Sequence, residues 1–186
     1  MKTLEEQLQV AGLQVMGCCE RLSAYSADLM QAAPLLQDLN AEEADILGAY
    51  MLLVQALPGQ VLIREGEVGN WMLLLLKGVL DVSKRIDSPG DADPAVADTA
   101  VHTTRLAVLR RGATIGEMSM LDGEPRYASC TAIDAVEVGV LGSREVAMLI
   151  RDHPAVGAKL LIKITQLMAQ RLRNTSNQLI KLLQKK

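Results

Sequence analysis

A chain of 186 residues, 49% hydrophobic and 22% charged, can bury one substantial core with added helices, which excludes a disordered chain and leaves little room for a second full domain. Its net charge of −3 argues against a general nucleic-acid binder, which needs cationic surface to displace condensed counterions. Phe is absent and Trp occurs once, so Leu, Ile, Val and nine Met must fill the core and each aromatic ring stands out.

Thr3 followed by Glu6 reads as a capping box, in which the hydroxyl and the carboxylate each take a free backbone N–H at the start of a helix. From there Leu4, Leu8, Ala11, Val15, Cys18, Leu22, Tyr25 and Leu29 step alternately by four and three, a period of 3.5 that predicts one long helix with a narrow apolar seam. The seam suits a partner helix, from a second chain or from the same domain, and Cys18 reads as a small buried residue within it. Gly12 and Gly17 each cost such a helix about 1 kcal/mol relative to Ala. Residues 1–33 are therefore expected to form an N-terminal helix, an oligomerisation segment if its partner is a second chain, with the main domain over 34–186.

Pro34 interrupts the chain, and Asn40 with Glu43 caps a second, short helix through Ala44, Ile46, Leu47, Tyr50 and Met51. The texture then changes to brief apolar runs, Gln60 to Arg64, Trp71 to Lys77, Val79 to Lys84, Leu106 to Arg110, Ser129 to Ile133 and Val136 to Leu141. Glycines at their junctions favour tight reversals, so these runs predict an antiparallel sandwich or barrel. The stretch between Arg85 and Arg105 has neither periodicity and carries Pro, Gly and Asp, the composition of an exposed, mobile loop. Neither His102 nor His153 has Cys or carboxylate companions at metal-ligand spacing, so no metal site is expected.

Ser143 is placed to cap a helix running to Arg151, and Pro154 to open a long final helix. On that helix Leu161, Thr165, Met168, Leu172, Thr175, Leu179 and Leu182 form a second seam, and the distal half is expected to project or pair. Lys159, Lys163, Arg171, Arg173, Lys181, Lys185 and Lys186 lie on the same helix and read as complements to the negative end of its dipole.

Cys18, Cys19 and Cys130 are odd in number, and adjacent cysteines rarely pair, which suits a reduced, cytoplasmic protein. Val15-Met16-Gly17-Cys18 has the form of a lipoprotein cleavage site, but Glu5, Glu6, Gln7, Gln9 and Gln14 spoil the apolar region before it. The longest apolar run, Trp71 to Leu76, is too short to cross a bilayer. No membrane association is expected.

The chemistry concentrates in one stretch, Gly116 to Ser129, which reads GEMSMLDGEPRYAS. Glu117 and Arg126 could simply bracket a charged turn, an exposed pair worth at most about 1 kcal/mol. Alternatively, Gly116-Glu117 starts a short helix whose first N–H groups point at an anion, Arg126 adds a planar phosphate grip, and Glu117 accepts a sugar hydroxyl. No second titratable group or nucleophile lies near Glu117 in sequence, and Ser119 and Ser129 lack a His companion, so catalysis is not expected.

From about Pro34 to Leu183 the chain resembles the cyclic-nucleotide-binding domain family of catabolite activator proteins, protein kinase regulatory subunits and gated ion channels. The resemblance rests on LPGQVLIREGEVGNWMLLLLKGVLDV, on IGEMSMLDGEPR and on the two closing helices. It implies an α+β fold, an antiparallel β-roll or jelly-roll flanked by N-terminal helices and two C-terminal helices. It also implies that Glu117 accepts the ribose 2′-hydroxyl, that Arg126 binds the cyclic phosphate, and that Gly116 lets the backbone approach. The N–H groups near Met118 and Ser119 would face the sugar-phosphate. The implied ligand set is Gly116, Glu117, Met118, Ser119, Arg126, Tyr127 and Ala128. The ligand would be a cyclic purine mononucleotide, cyclic AMP rather than cyclic GMP, with no other cofactor.

The family usually carries Ala, Ser or Thr after the arginine, and here the residue is Tyr127. Its ring could stack on the base, fill the base pocket in place of a ligand, or turn outward while its N–H still serves. The lid is expected from Leu160 to Leu172. Family transcription factors continue into a helix-turn-helix that reads DNA, whereas this sequence stops at Lys186, so it reads as a stand-alone sensor that dimerises and signals to a further protein without nucleic acid.

Overall fold

A computed structural model describes residues 3–26, 28–86 and 103–184. The loop expected between Arg85 and Arg105, with His102, lies largely outside these residues, as do Lys185 and Lys186. Two antiparallel sheets face each other and helices cover one outer face, the α+β β-roll that the resemblance implied.

The N-terminal segment departs from the long helix that its periodicity suggested. The Thr3–Glu6 capping box forms as expected, with Thr3 Oγ1 accepting from the Glu6 N–H at 3.2 Å and the Thr3 N–H donating to Glu6 Oε2 at 2.8 Å. Helix α1 nevertheless covers only Leu4–Val10. Gly12 then turns the chain at a φ of 78°, a left-handed conformation that other residues rarely adopt, and β1 follows over Gln14–Cys18. Strand β1 pairs antiparallel with β2, Leu52–Ala56, with a register shift between Val15 and Gly17. Ladder hydrogen bonds along β2 outweigh a helix already weakened by two glycines. The apparent seam is accordingly dispersed. Leu8 enters the core between the sheets, Leu22 and Leu29 enter the core beneath the helices, and Cys18 is exposed instead of buried. A short helix α2 spans Leu29–Ala32, and α3 spans Ala41–Ala49 behind the Asn40–Glu43 capping box.

The remaining strands are β3 (Val61–Ile63), β4 (Trp71–Lys77), β5 (Leu80–Arg85), β6 (Thr103–Leu109), β7 (Thr114–Ile115), β8 (Ser129–Ala132) and β9 (Val136–Gly142). They form one sheet in the order β1-β2-β9-β4-β7 and another in the order β3-β8-β5-β6. Strand β4 shows why its sequence is apolar without alternation. Trp71, Leu73 and Leu75 fill the core between the sheets, while Met72, Leu74 and Leu76 face the core under the helices, so both faces are buried.

Helix α5 covers Ser143–Asp152 and α6 covers Pro154–Leu183, with Pro154 in the first turn. Ser143 is the first helical residue and Gly142 the cap, so the expected serine cap does not form. Val156, Gly157, Leu160 and Ile164 bury the proximal part of α6. Beyond Met168 its apolar residues emerge, with Leu172 at 69%, Leu179 at 57% and Leu182 at 67% exposure. Among the described residues no helix is long and apolar enough to cross a membrane, and no cluster of His, Cys, Asp and Glu could hold a metal ion.

Candidate functional site

Strand β7 hands the chain to Gly116, which sits at a φ of 91° and turns it directly into α4, Glu117–Asp122. The glycine is needed twice here. Its φ is left-handed, and a Cβ would stand 2.7 Å from an Arg126 guanidinium nitrogen and 3.1 Å from the Trp71 carbonyl oxygen. Gly123, at a φ of 75°, closes the helix by donating its N–H to the Ser119 carbonyl. The chain then returns through Pro125, and the Arg126 N–H donates to the Glu67 carbonyl at 2.9 Å while the Arg126 carbonyl accepts from the Gly66 N–H at 2.9 Å.

Arg126 is only 5% exposed. Its Nη1 donates to the Gly116 carbonyl at 2.9 Å and its Nη2 to the Trp71 carbonyl at 2.7 Å, and the guanidinium lies 4.5 Å from the Trp71 ring centroid. Gly69 completes the cradle, since a Cβ there would lie 2.6 Å from Nη2. Burial pushes the Arg126 pKa down to about 10, against the opposing pull of Glu117 and Glu67, so the side chain is still cationic at neutral pH.

Glu117 is buried to 2% exposure. Its Oε1 accepts from Arg171 on α6, and the same guanidinium donates to the Thr114 carbonyl. The second oxygen, Oε2, is buried without a hydrogen-bond partner among the described residues. An unsatisfied buried acceptor of this kind is uncommon and invites a donor.

All seven residues singled out in sequence, Gly116, Glu117, Met118, Ser119, Arg126, Tyr127 and Ala128, line one cavity of about 150 Å³. Ile63, Val82 and Leu106 supply an apolar wall. A larger but shallow depression of about 500 Å³ beside Cys18, Arg21 and Tyr25 lacks the convergence of two buried opposite charges, so chemistry outweighs size in locating the site. The Tyr127 ring stands at the rim, 64% exposed, with Lys84 Nζ 4.0 Å from its centroid.

Arg171 is the residue that sequence reasoning misread. It counted as one of several cations near a helix end, whereas it bridges α6 to α4, three turns before the helix closes at Leu183. Lys159 and Lys163 likewise pair specifically, with Glu43 and Asp38. Nothing in the local pattern separates Arg171 from Arg173, because only the docking of α6 decides which one reaches the cavity. Trp71 and Gly69 also escaped notice, although the cradle depends on both.

Residues 53–153 match the family model described as the cyclic nucleotide-binding domain. A cAMP-dependent protein kinase regulatory subunit from Yarrowia lipolytica is 29% identical over 68% of this chain and 29% of that protein. A cyclic AMP receptor protein from Thermus thermophilus is 27% identical over 81% of this chain and 62% of its own length. The chain thus spans less than two thirds of these curated relatives. The crystal structure of a cyclic nucleotide-binding domain from Methylobacillus flagellatus superposes with a TM-score of 0.73 at 30% identity, covering 90% of this chain and 88% of that one.

Proposed function

The chain belongs to the cyclic nucleotide-binding domain family, and we propose that it is a non-enzymatic regulatory module taking a cyclic purine nucleotide between Glu117 and Arg126, cyclic AMP in preference to cyclic GMP. The observation that carries this reading is the buried Oε2 of Glu117, without a partner among the described residues, in the same cavity as the buried cation of Arg126. A ribose hydroxyl satisfies the first and a cyclic phosphate the second. Leaving such an acceptor unpaired costs about 1–3 kcal/mol, a deficit that the ligand removes. The preference for adenine is supported by the apolar wall of Ile63, Val82, Leu106 and Ala128, which suits adenine better than the more polar guanine.

The output is the position of α6. Arg171 holds α6 to Glu117, the residue that the ligand engages, so nucleotide binding and the arrangement of α6 are linked. The exposed Leu172, Leu179 and Leu182 give α6 a face for a second copy of the chain, and the resulting homodimer presents the signal to a downstream protein. The other reading, a ligand-independent assembly module with Tyr127 filling the pocket, is less well supported because the ring is 64% exposed.

Calorimetry and thermal shift with cyclic AMP, cyclic GMP and cyclic dinucleotides test the proposal. Cyclic AMP at one hundred times its dissociation constant should stabilise the fold by about 2.7 kcal/mol, and Arg126→Ala should abolish most of that gain. No response to any of these ligands at millimolar concentration would overturn it.

A further inference from the structure

Tyr127 directly follows Arg126, and its exposed ring stands at the rim of the cavity that both residues line. Strands β5 and β8 pair with Ser83 opposite Ser129, and this register brings Lys84 to Tyr127. Lys84 Nζ holds the tyrosine at two points, lying 4.0 Å from the ring centroid and donating to the Tyr127 carbonyl at 2.8 Å. The lysine is itself held by Glu65, whose Oε1 accepts from Nζ at 3.1 Å. Glu65 is anchored in turn: its Oε2 accepts the Arg85 N–H at 2.9 Å and its own N–H donates to Ser129 Oγ at 3.0 Å. Lys84 and Glu65 do not line the cavity, but Tyr127 does.

A cation covers one face of an aromatic ring and leaves the other available for stacking. Building on the nucleotide site proposed above, we propose that Lys84 is a positioning residue that holds Tyr127 as an outer wall at the exposed rim of the cavity, where the base lies. The base then stacks on the tyrosine face opposite the ammonium. Stacking reads area rather than the hydrogen-bonding edge, so this wall selects purines over pyrimidines. The tyrosine thereby adds a base contact, where a small residue after the arginine would leave that side of the cavity open.

The test measures binding of cyclic AMP, cyclic CMP and a ribose 3′,5′-cyclic phosphate lacking a base, with thermal midpoints confirming that each variant folds. Tyr127→Ala should weaken cyclic AMP by about 5- to 150-fold, the range for loss of one base–aromatic stack, and weaken cyclic CMP less. Affinity for the base-free ligand should not change, and Tyr127→Phe should keep the wild-type pattern. Lys84→Met should cause a partial loss confined to the base-bearing ligands, absent in the Tyr127→Ala background and largely recovered in Lys84→Arg. Lys84→Gln provides a second variant should the methionine fail to fold. Tighter or unchanged cyclic AMP binding by Tyr127→Ala overturns the inference, as does a Lys84→Met effect of equal size on the base-free ligand. If the wild type binds no cyclic nucleotide, both this inference and the proposed function fall. If it binds but is indifferent to residues 84 and 127, only this inference falls.

Discussion

Replacing Arg171 by Ala removes the bridge between α6 and the buried carboxylate of Glu117. Among the described residues both Glu117 oxygens then lack a partner, because Oε2 already has none and Oε1 loses the guanidinium. Breaking a fully buried pair costs about 3–5 kcal/mol. The Arg171 side chain is 46% exposed, however, against 3% for Glu117, so water can reach the vacated position and a loss of about 1–3 kcal/mol is expected. For a chain of this size each kcal/mol lowers the thermal midpoint by about 2–4 °C, giving a total drop of about 2–12 °C. Part of that loss falls on α6 alone, since the helix is exposed beyond Met168 and can detach while the sheets persist. Urea denaturation measures the global part, and hydrogen exchange of the α6 amides measures the local part. A double-mutant cycle with Glu117→Gln isolates the pair. Stabilities that add to within about 0.5 kcal/mol, with α6 protection unchanged, would refute the argument that this contact fastens the helix.

Three further outcomes follow from the same geometry. Gly116→Ala should destabilise the fold by about 1–2 kcal/mol through its left-handed φ alone, and by more as its Cβ displaces Arg126; a denaturation midpoint equal to wild type would contradict this. Burial pushes both the Cys19 and Cys130 thiols up to about 12, so in the native protein a thiol reagent should label Cys18 rapidly and the other two only on unfolding, as mass spectrometry of the labelled peptides would report. The Glu65 carboxyl is held below its ordinary range by the Arg85 backbone N–H, with Lys84 adding to the effect. Its contribution is therefore fully present above the unfolded-state pKa and is lost as the pH falls through the lower folded-state value. The stability advantage of wild type over Glu65→Gln should be level near neutrality and shrink on acidification below about pH 4.

The parts of this protein that its sequence determined are those whose physics is local. The Thr3–Glu6 and Asn40–Glu43 boxes each need only a turn of chain to form, and both formed. Gly116 and Gly123 bound a one-and-a-half-turn helix because no other residue rests easily at their φ angles, which is why GEMSMLDG could be read as a unit. The return from Pro125 then sets Arg126 beside Glu117, and the seven expected residues meet in one cavity. Periodicity alone did not decide the first thirty residues, since Leu8, Leu22 and Leu29 fit a helical seam as well as they fit two separate cores. Strand β1 exists because β2 has an open edge, a fact of the sheet and not of the segment. The same holds for Arg171 and Tyr127. A guanidinium on a projecting helix finds Glu117 only once α6 has docked, and Lys84 meets the tyrosine ring only because a strand pair brings together residues more than forty apart in sequence. Side chains whose partners lie on distant elements take their roles from packing, and packing is settled by the whole chain at once.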